Sequence, residues 1–224
     1  MEKRKIVFNA QNILSYILGF FILGFAVVSL LRSNLGAGAW DTTTFSLHAF
    51  MTQLIPFFTL GMASMMISLT IMTIVIISRK QWYLLFMLLP ILLVAISIDF
   101  WDLVVYRDFK AIGIERVVLF VVGTITLPLG LSLIVLSQFP AFVFDELMLL
   151  IMDVLKTKKL GLVRLGIEIL GVLLALVFGF LSDAIFGTDI GFGKVNLGTV
   201  FLAFALGPIM SFYIRSLKPY YQNN

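Results

Sequence analysis

The chain contains no cysteine, one histidine and little charge. The missing cysteines exclude a disulfide framework, a thiolate metal site and a cysteine nucleophile. His48 has no second histidine or cysteine with which to hold a metal, so it is expected at the surface or the interface. Charged residues make up only 12% of the 224 positions, about half the share of a typical soluble domain, which excludes a soluble globular fold. No HExxH and no nucleophile elbow occurs, and Gly191-Phe-Gly193-Lys194 lacks the other P-loop positions and a preceding strand, so it reads as a turn. No nucleophile can be paired with a base, so neither an enzyme, a metal nor a cofactor is expected.

What the chain has in abundance is apolar sequence: 61% hydrophobic residues and a mean hydropathy of +1.09. Six stretches are each long enough to cross about 30 Å of hydrocarbon as helix. They run from Asn12 to Leu31, Ile55 to Ser78, Trp82 to Tyr106, Gly113 to Ser137, Leu160 to Asp183 and Leu197 to Arg215. The expected fold is all-α, a single membrane domain over 1–224. The first run exceeds the roughly 7 to 15 residues of a signal-peptide core, so it reads as an uncleaved span.

The net charge of +4 does not mark a nucleic-acid binder, because the basic residues sit in short clusters beside the spans and act as topology determinants. With both termini cytoplasmic, eleven of the sixteen Lys and Arg, Lys3, Arg4 and Lys5 among them, fall on the cytoplasmic side and five, including Arg32, Arg116 and Lys194, on the other. The positive-inside rule therefore predicts both termini inside, in a cell membrane.

One arrangement occurs twice. Gly36-Ala-Gly-Ala-Trp40-Asp41 is followed by a short amphipathic segment and then Leu60-Gly61; Phe139-Pro-Ala-Phe-Val-Phe144-Asp145 is followed by another and then Leu160-Gly161. The two copies, about 12–106 and 113–216, hold three spans each, an odd number, so the second is expected upside down relative to the first, as in many secondary transporters. The segments from Asp41 to Thr52 and from Asp145 to Leu155 are expected as short helices, either interfacial or re-entrant. Gly36 and Gly38 permit positive φ before the first, whereas Pro140 stiffens the second break.

Six residues are candidates for a solute or ion pathway. Asp41 and Asp145 are either helix N-caps or carboxylates at the mouths of a central cavity. Glu168 lies seven residues past the Gly161 of its span, where an ionisable group is a functional candidate by default. It either faces the bundle or pairs locally with Arg164 at i,i+4. Ser64 and Ser68 occupy the places in the first copy that Arg164 and Glu168 occupy in the second. Gly171, Ala175 and Gly179 continue the Glu168 face as a small-residue surface for close helix packing. Asp99 and Asp102 close the third span and are expected in solvated or capping roles.

The break Gly36-Ala-Gly38-Ala-Trp40-Asp41, Leu60-Gly61, Asp145, Arg164 with Glu168, Asn196-Leu-Gly198-Thr199 and Leu206-Gly207-Pro208 resemble the YczE/YyaS/YitT family of bacterial integral membrane proteins. The resemblance implies a multi-pass protein of the bacterial cytoplasmic membrane and supplies no substrate and no catalytic residues. Pro140-Ala-Phe-Val-Phe144 departs from the glycine-containing turn typical of that family. The expected function is a small secondary transporter of an unknown solute or ion, proton- or cation-coupled. The alternative is a non-transporting membrane accessory that packs on a homodimer copy or a membrane partner through the Gly171-Ala175-Gly179 face.

Overall fold

The computed structural model describes residues 9–139 and 142–222; Lys3, Arg4, Lys5 and Pro140 lie outside them. The described residues form eight α-helices and no strand: α1 (Ala10–Ser33), α2 (Ala39–Met51), α3 (Leu60–Arg79), α4 (Leu88–Phe100), α5 (Ile114–Leu136), α6 (Val143–Val154), α7 (Leu160–Phe186) and α8 (Leu197–Gln222). A 3-10 turn, Trp82–Met87, leads into α4, and a π-helical turn, Trp101–Val105, leads out of it. Counting those turns with α4, six helices are long and apolar enough to cross a membrane, and the protein is a multi-pass membrane helix bundle. All six expected spans are present. The second starts at Leu60 rather than Ile55, because the hydroxyl of Thr59 accepts the Met62 N–H and caps the helix there.

Helix ends follow local chemistry. Asn34, Lys80 and Gly187 adopt the left-handed conformation that ends α1, α3 and α7. Both Leu-Gly pairs open a helix, α3 and α7, as their sequence positions predict.

The centre of the bundle is the close crossing of α1 and α5. Glycines make it close: a Cβ on Gly130 would lie 2.8 Å from the Gly19 carbonyl oxygen and 3.0 Å from the Leu23 nitrogen. α1 also packs on α4, and α5 on α8. α2 lies along α7 and α6 along α3, so each short helix is held by a helix from the other half of the chain. α3 and α4 pack closely, whereas α7 and α8 barely touch.

Gln11 and Ser15 at the start of α1 meet Tyr220 and Tyr221 at the end of α8, so the two ends of the described chain share one face, called the terminus face below. α2 begins in the middle of the bundle, where Trp40 packs against Gly171, eleven residues into α7. It then runs to the far face, where the Phe50 and Phe186 rings are 5.5 Å apart. α6 also begins in the middle: the Phe142 ring lies 5.5 Å from Phe20 and Phe144 lies 4.6 Å from Trp40. It runs to the terminus face, where Arg79 at the end of α3 bonds both Glu146 and Asp153. Both short helices thus begin inside the bundle and end at opposite faces of it, and their N-termini meet.

Candidate functional site

The entry to α2 sets the first candidate carboxylate. Gly36 has φ +137°, and a Cβ there would run into the backbone of Gly198 and Thr199. Gly38 is the N-cap but has an ordinary φ of −59°, so the expected need for positive φ holds only for Gly36. At Gly38 a Cβ would sit 2.6 Å from Oδ2 of Asp41, so a larger residue there would push that carboxylate aside. Asp41 is therefore not an N-cap. It is the third helical residue and reaches back to accept the Gly38 N–H, as the acidic member of a capping box does. Asp145 holds the same third position in α6, behind the N-cap Phe142. Each helix starts two residues earlier than expected because the small or apolar first residue, Ala39 or Val143, is buried.

Between the two N-termini lies a cavity of about 280 Å³. All six pathway candidates line it: Asp41, Asp145, Ser64, Ser68, Arg164 and Glu168. Ser64 and Ser68 face it from α3 and Arg164 and Glu168 from α7, at identical offsets from the two Leu-Gly pairs. Asp145 and Arg164 are exposed, Asp41 and Glu168 half-buried and Ser68 buried. Arg164 and Glu168 do not close into the ion pair that their spacing allows, although the Arg164 charge still acts on Glu168; ion pairs do form at Arg32–Asp102, Arg79–Glu146 and Arg79–Asp153.

Residues beyond these six also shape the site. Trp40, Phe142 and Phe144 wall it, and the Trp40 Nε1–H is buried without an acceptor. The signal for them was present in the duplicated pattern, which sets an aromatic before each Asp. Thr44 joins the lining, and the threonines that dilute the apolar stripe of α2 are its contact surface: Thr43 Oγ1 donates to the Gly171 carbonyl at 2.6 Å. That bond, the Trp40 ring and the Gly191 carbonyl cover Gly171 and Gly179, and Ala175 between them is fully buried. The small-residue face is a packing surface occupied by the chain's own α2 and the turn before α8.

The other polar residues lie away from the cavity. Asp99 accepts from Thr59 Oγ1 and from the Gly61 N–H, securing the start of α3, and Asp102 pairs with Arg32. His48 is half-buried, with an unpartnered Nδ1.

On the far face, Lys194 bonds Asn34 and stacks its ammonium 4.6 Å from the Phe45 ring centroid. Burial, then the charges of Arg32 and Arg116, hold its pKa down at about 8. The folded state therefore binds this proton less tightly than the unfolded chain, so the cost of burying the charged lysine fades as pH rises from about 8 toward the ordinary value. Acylation of Lys194 by an impermeant amine-reactive ester should accordingly level off near pH 8. A rate that keeps climbing to about pH 10, as for an ordinary lysine, would refute the shift.

Residues 10–215 match the model of DUF6198, a family of unknown function. The chain belongs to this family. The DUF6198 match runs from the start of α1 into α8 and takes in every cavity-lining residue from Leu23 to Met210. No curated protein and no solved structure matches the chain.

Proposed function

We propose that this protein is a small secondary transporter built from two inverted repeats, with the cavity between α2 and α6 as its solute site and Glu168 and Asp41 as the groups that take up a coupling proton or cation. The single observation that carries the reading is that equivalent residues from both halves, Ser64 and Ser68 on one side and Arg164 and Glu168 on the other, line one cavity at the meeting N-termini of the two short helices. The reciprocal packing of α2 on α7 and α6 on α3, and of α1 on α4 and α5 on α8, supports the repeat. Half-helix N-termini at mid-depth are the feature around which such carriers assemble their sites. Asp41 and Glu168, ionisable groups that face a cavity inside an apolar bundle, support proton or cation coupling. The accessory reading loses the surface that motivated it, since α2 and the 190–191 turn cover that face.

Two measurements test the proposal. The chain has no native cysteine, so single cysteines at the exposed Gln53 and Lys156, beyond the outer ends of α2 and α6, report sidedness directly. They should react with an impermeant maleimide from opposite sides of the membrane, Lys156 from the cytoplasm; labelling from one side would end the inverted-repeat reading. In liposomes loaded with a pH-sensitive dye, gradients of small amines, zwitterions and carboxylates should include one that moves protons with the wild type. Glu168→Gln should lose that signal, and an undiminished signal would remove Glu168 from the coupling step.

A further inference from the structure

The cavity also narrows the class of solute, an inference that rests on the transport reading above. Asp41, Asp145, Arg164 and Glu168 face it, and so do the N-termini of α2 and α6. A helix start carries about half a positive charge, which an acidic side chain in the first turn offsets. Asp41 and Asp145 are acidic residues of the first turns of α2 and α6. Asp41 is also committed to the Gly38 N–H, and Asp145 is held by an interaction of its own. Each of these two carboxylates is thus balanced by its own helix.

Arg164 and Glu168 remain. They stand one turn apart on α7, about 6 Å along its axis, and both face the cavity. Their spacing lets them pair, yet among the described residues no hydrogen bond or closed ion pair holds either side chain. One open positive and one open negative charge sum to zero. A bare cation or a bare anion would leave one of them uncompensated inside an apolar bundle, whereas a solute that carries both charges meets both.

The rest of the wall is aliphatic. Val27, Val94, Ile98, Leu127, Ile134 and Ile167 line the cavity, and each is buried. Such a lining favours an apolar group on the solute. The volume, about 280 Å³, falls at the low end of small-molecule pockets, so the solute is small. Depth sets its direction: Arg164, in the second turn of α7, is exposed, and Glu168, one turn further in, is half-buried. The anionic group of the solute therefore points to the terminus face and its ammonium to the middle of the bundle.

We infer that the cavity binds a small aliphatic zwitterion, an amino acid with a branched apolar side chain, its carboxylate on Arg164 and its ammonium on Glu168. The cation that Glu168 takes up is then the ammonium of the solute itself. Calorimetric titration of the purified full-length protein in lipid nanodiscs tests this with four probes. Leucine carries both charges and the branch, isoamylamine lacks the carboxylate, 4-methylpentanoate lacks the amine, and glycine lacks the branch. Leucine should bind at least about tenfold more tightly than each of the other three. Arg164→Gln should erase the preference for leucine over isoamylamine and keep that over 4-methylpentanoate. Glu168→Gln should do the reverse, a crossed pattern that a loss of folding does not produce.

Isoamylamine or 4-methylpentanoate binding to the wild type as tightly as leucine overturns the zwitterion, whether or not a variant folds. Glycine binding as tightly overturns the apolar side chain, and no binding of leucine overturns the site. In a monodisperse variant, an unchanged preference removes that residue's charge from the site. The failure modes are separable. Leucine that binds but is not moved across liposome membranes sinks the transport reading and leaves the site. Proton-coupled flux of some other solute, with no leucine binding, sinks the site and leaves the transport reading.

Discussion

Gly130→Leu is expected to leave no folded, monodisperse bundle. The Cβ alone would lie 2.8 Å from the carbonyl oxygen of Gly19 and 3.0 Å from the backbone nitrogen of Leu23, and backbone atoms cannot rotate out of the way as a side chain can. The whole α1–α5 crossing must open, and this crossing is the contact on which both halves rest. Overpacking of a core by extra methylenes costs about 1–3 kcal/mol when side chains can adjust; here they cannot, so the loss should exceed that range. Gly207→Leu is the matched control, because no atom lies within 4 Å of a Cβ at that position. Size-exclusion profiles and thermal melts in detergent should separate the two variants completely. A Gly130→Leu protein that elutes and melts like wild type would show that the crossing is looser than described.

The second large effect is expected at Arg79. Its guanidinium is nearly buried, 13% exposed, and divides its two terminal nitrogens between Glu146 and Asp153, each at 3.0 Å. Asp153 is 72% exposed, so that arm should contribute little. Glu146 is 27% exposed, and removing its partner strands a carboxylate in the bundle. Arg79→Met should cost about 1–3 kcal/mol, less than the 3–5 of a fully buried broken pair because solvent still reaches Glu146. Asp153→Asn should change stability by no more than about 0.5 kcal/mol. Arg79 is the charged tie between α6 and the end of α3, beside the apolar contacts of Met72 and Val75 with Val143 and Leu147, so amide exchange over 143–154 should rise in Arg79→Met and hardly at all in Asp153→Asn. Equal exchange in both would show that apolar contacts alone hold α6.

The architecture was largely legible in the sequence because hydrophobic length and charge placement determine spans directly. The six long helices, both short ones and the Leu-Gly openings of α3 and α7 all follow from local pattern. The cavity residues were legible for a different reason, the ionisable group deep in an apolar helix and the matching offsets from the two Leu-Gly pairs; hydroxyls alone would not have marked them, since Ser29, Thr124 and Ser132 bond backbone carbonyls outside the cavity. What local pattern could not give was the register of the short helices. Asp41 and Asp145 have the right chemistry for N-caps, but burial of Ala39 and Val143 draws each helix start back by two residues, and that preference comes from packing on α7 and α3. The partner of the Gly171-Ala175-Gly179 face was illegible for the same kind of reason. A small-residue surface announces a close neighbour without naming it, and here the neighbour is α2.

The meeting of α2 and α6 at Trp40 and Phe144 has an electrical consequence on the transport reading. An aqueous path down to each N-terminus, as that reading requires, would make the transmembrane voltage fall mainly across this aromatic septum rather than over the full bilayer. A unit charge crossing that septum would experience most of the available field energy, about 2.3 kcal/mol for every 100 mV. On the proposed transport reading, any carrier current should therefore be steeply voltage-dependent, with the Trp40–Phe144 pair as the step at which the dependence arises.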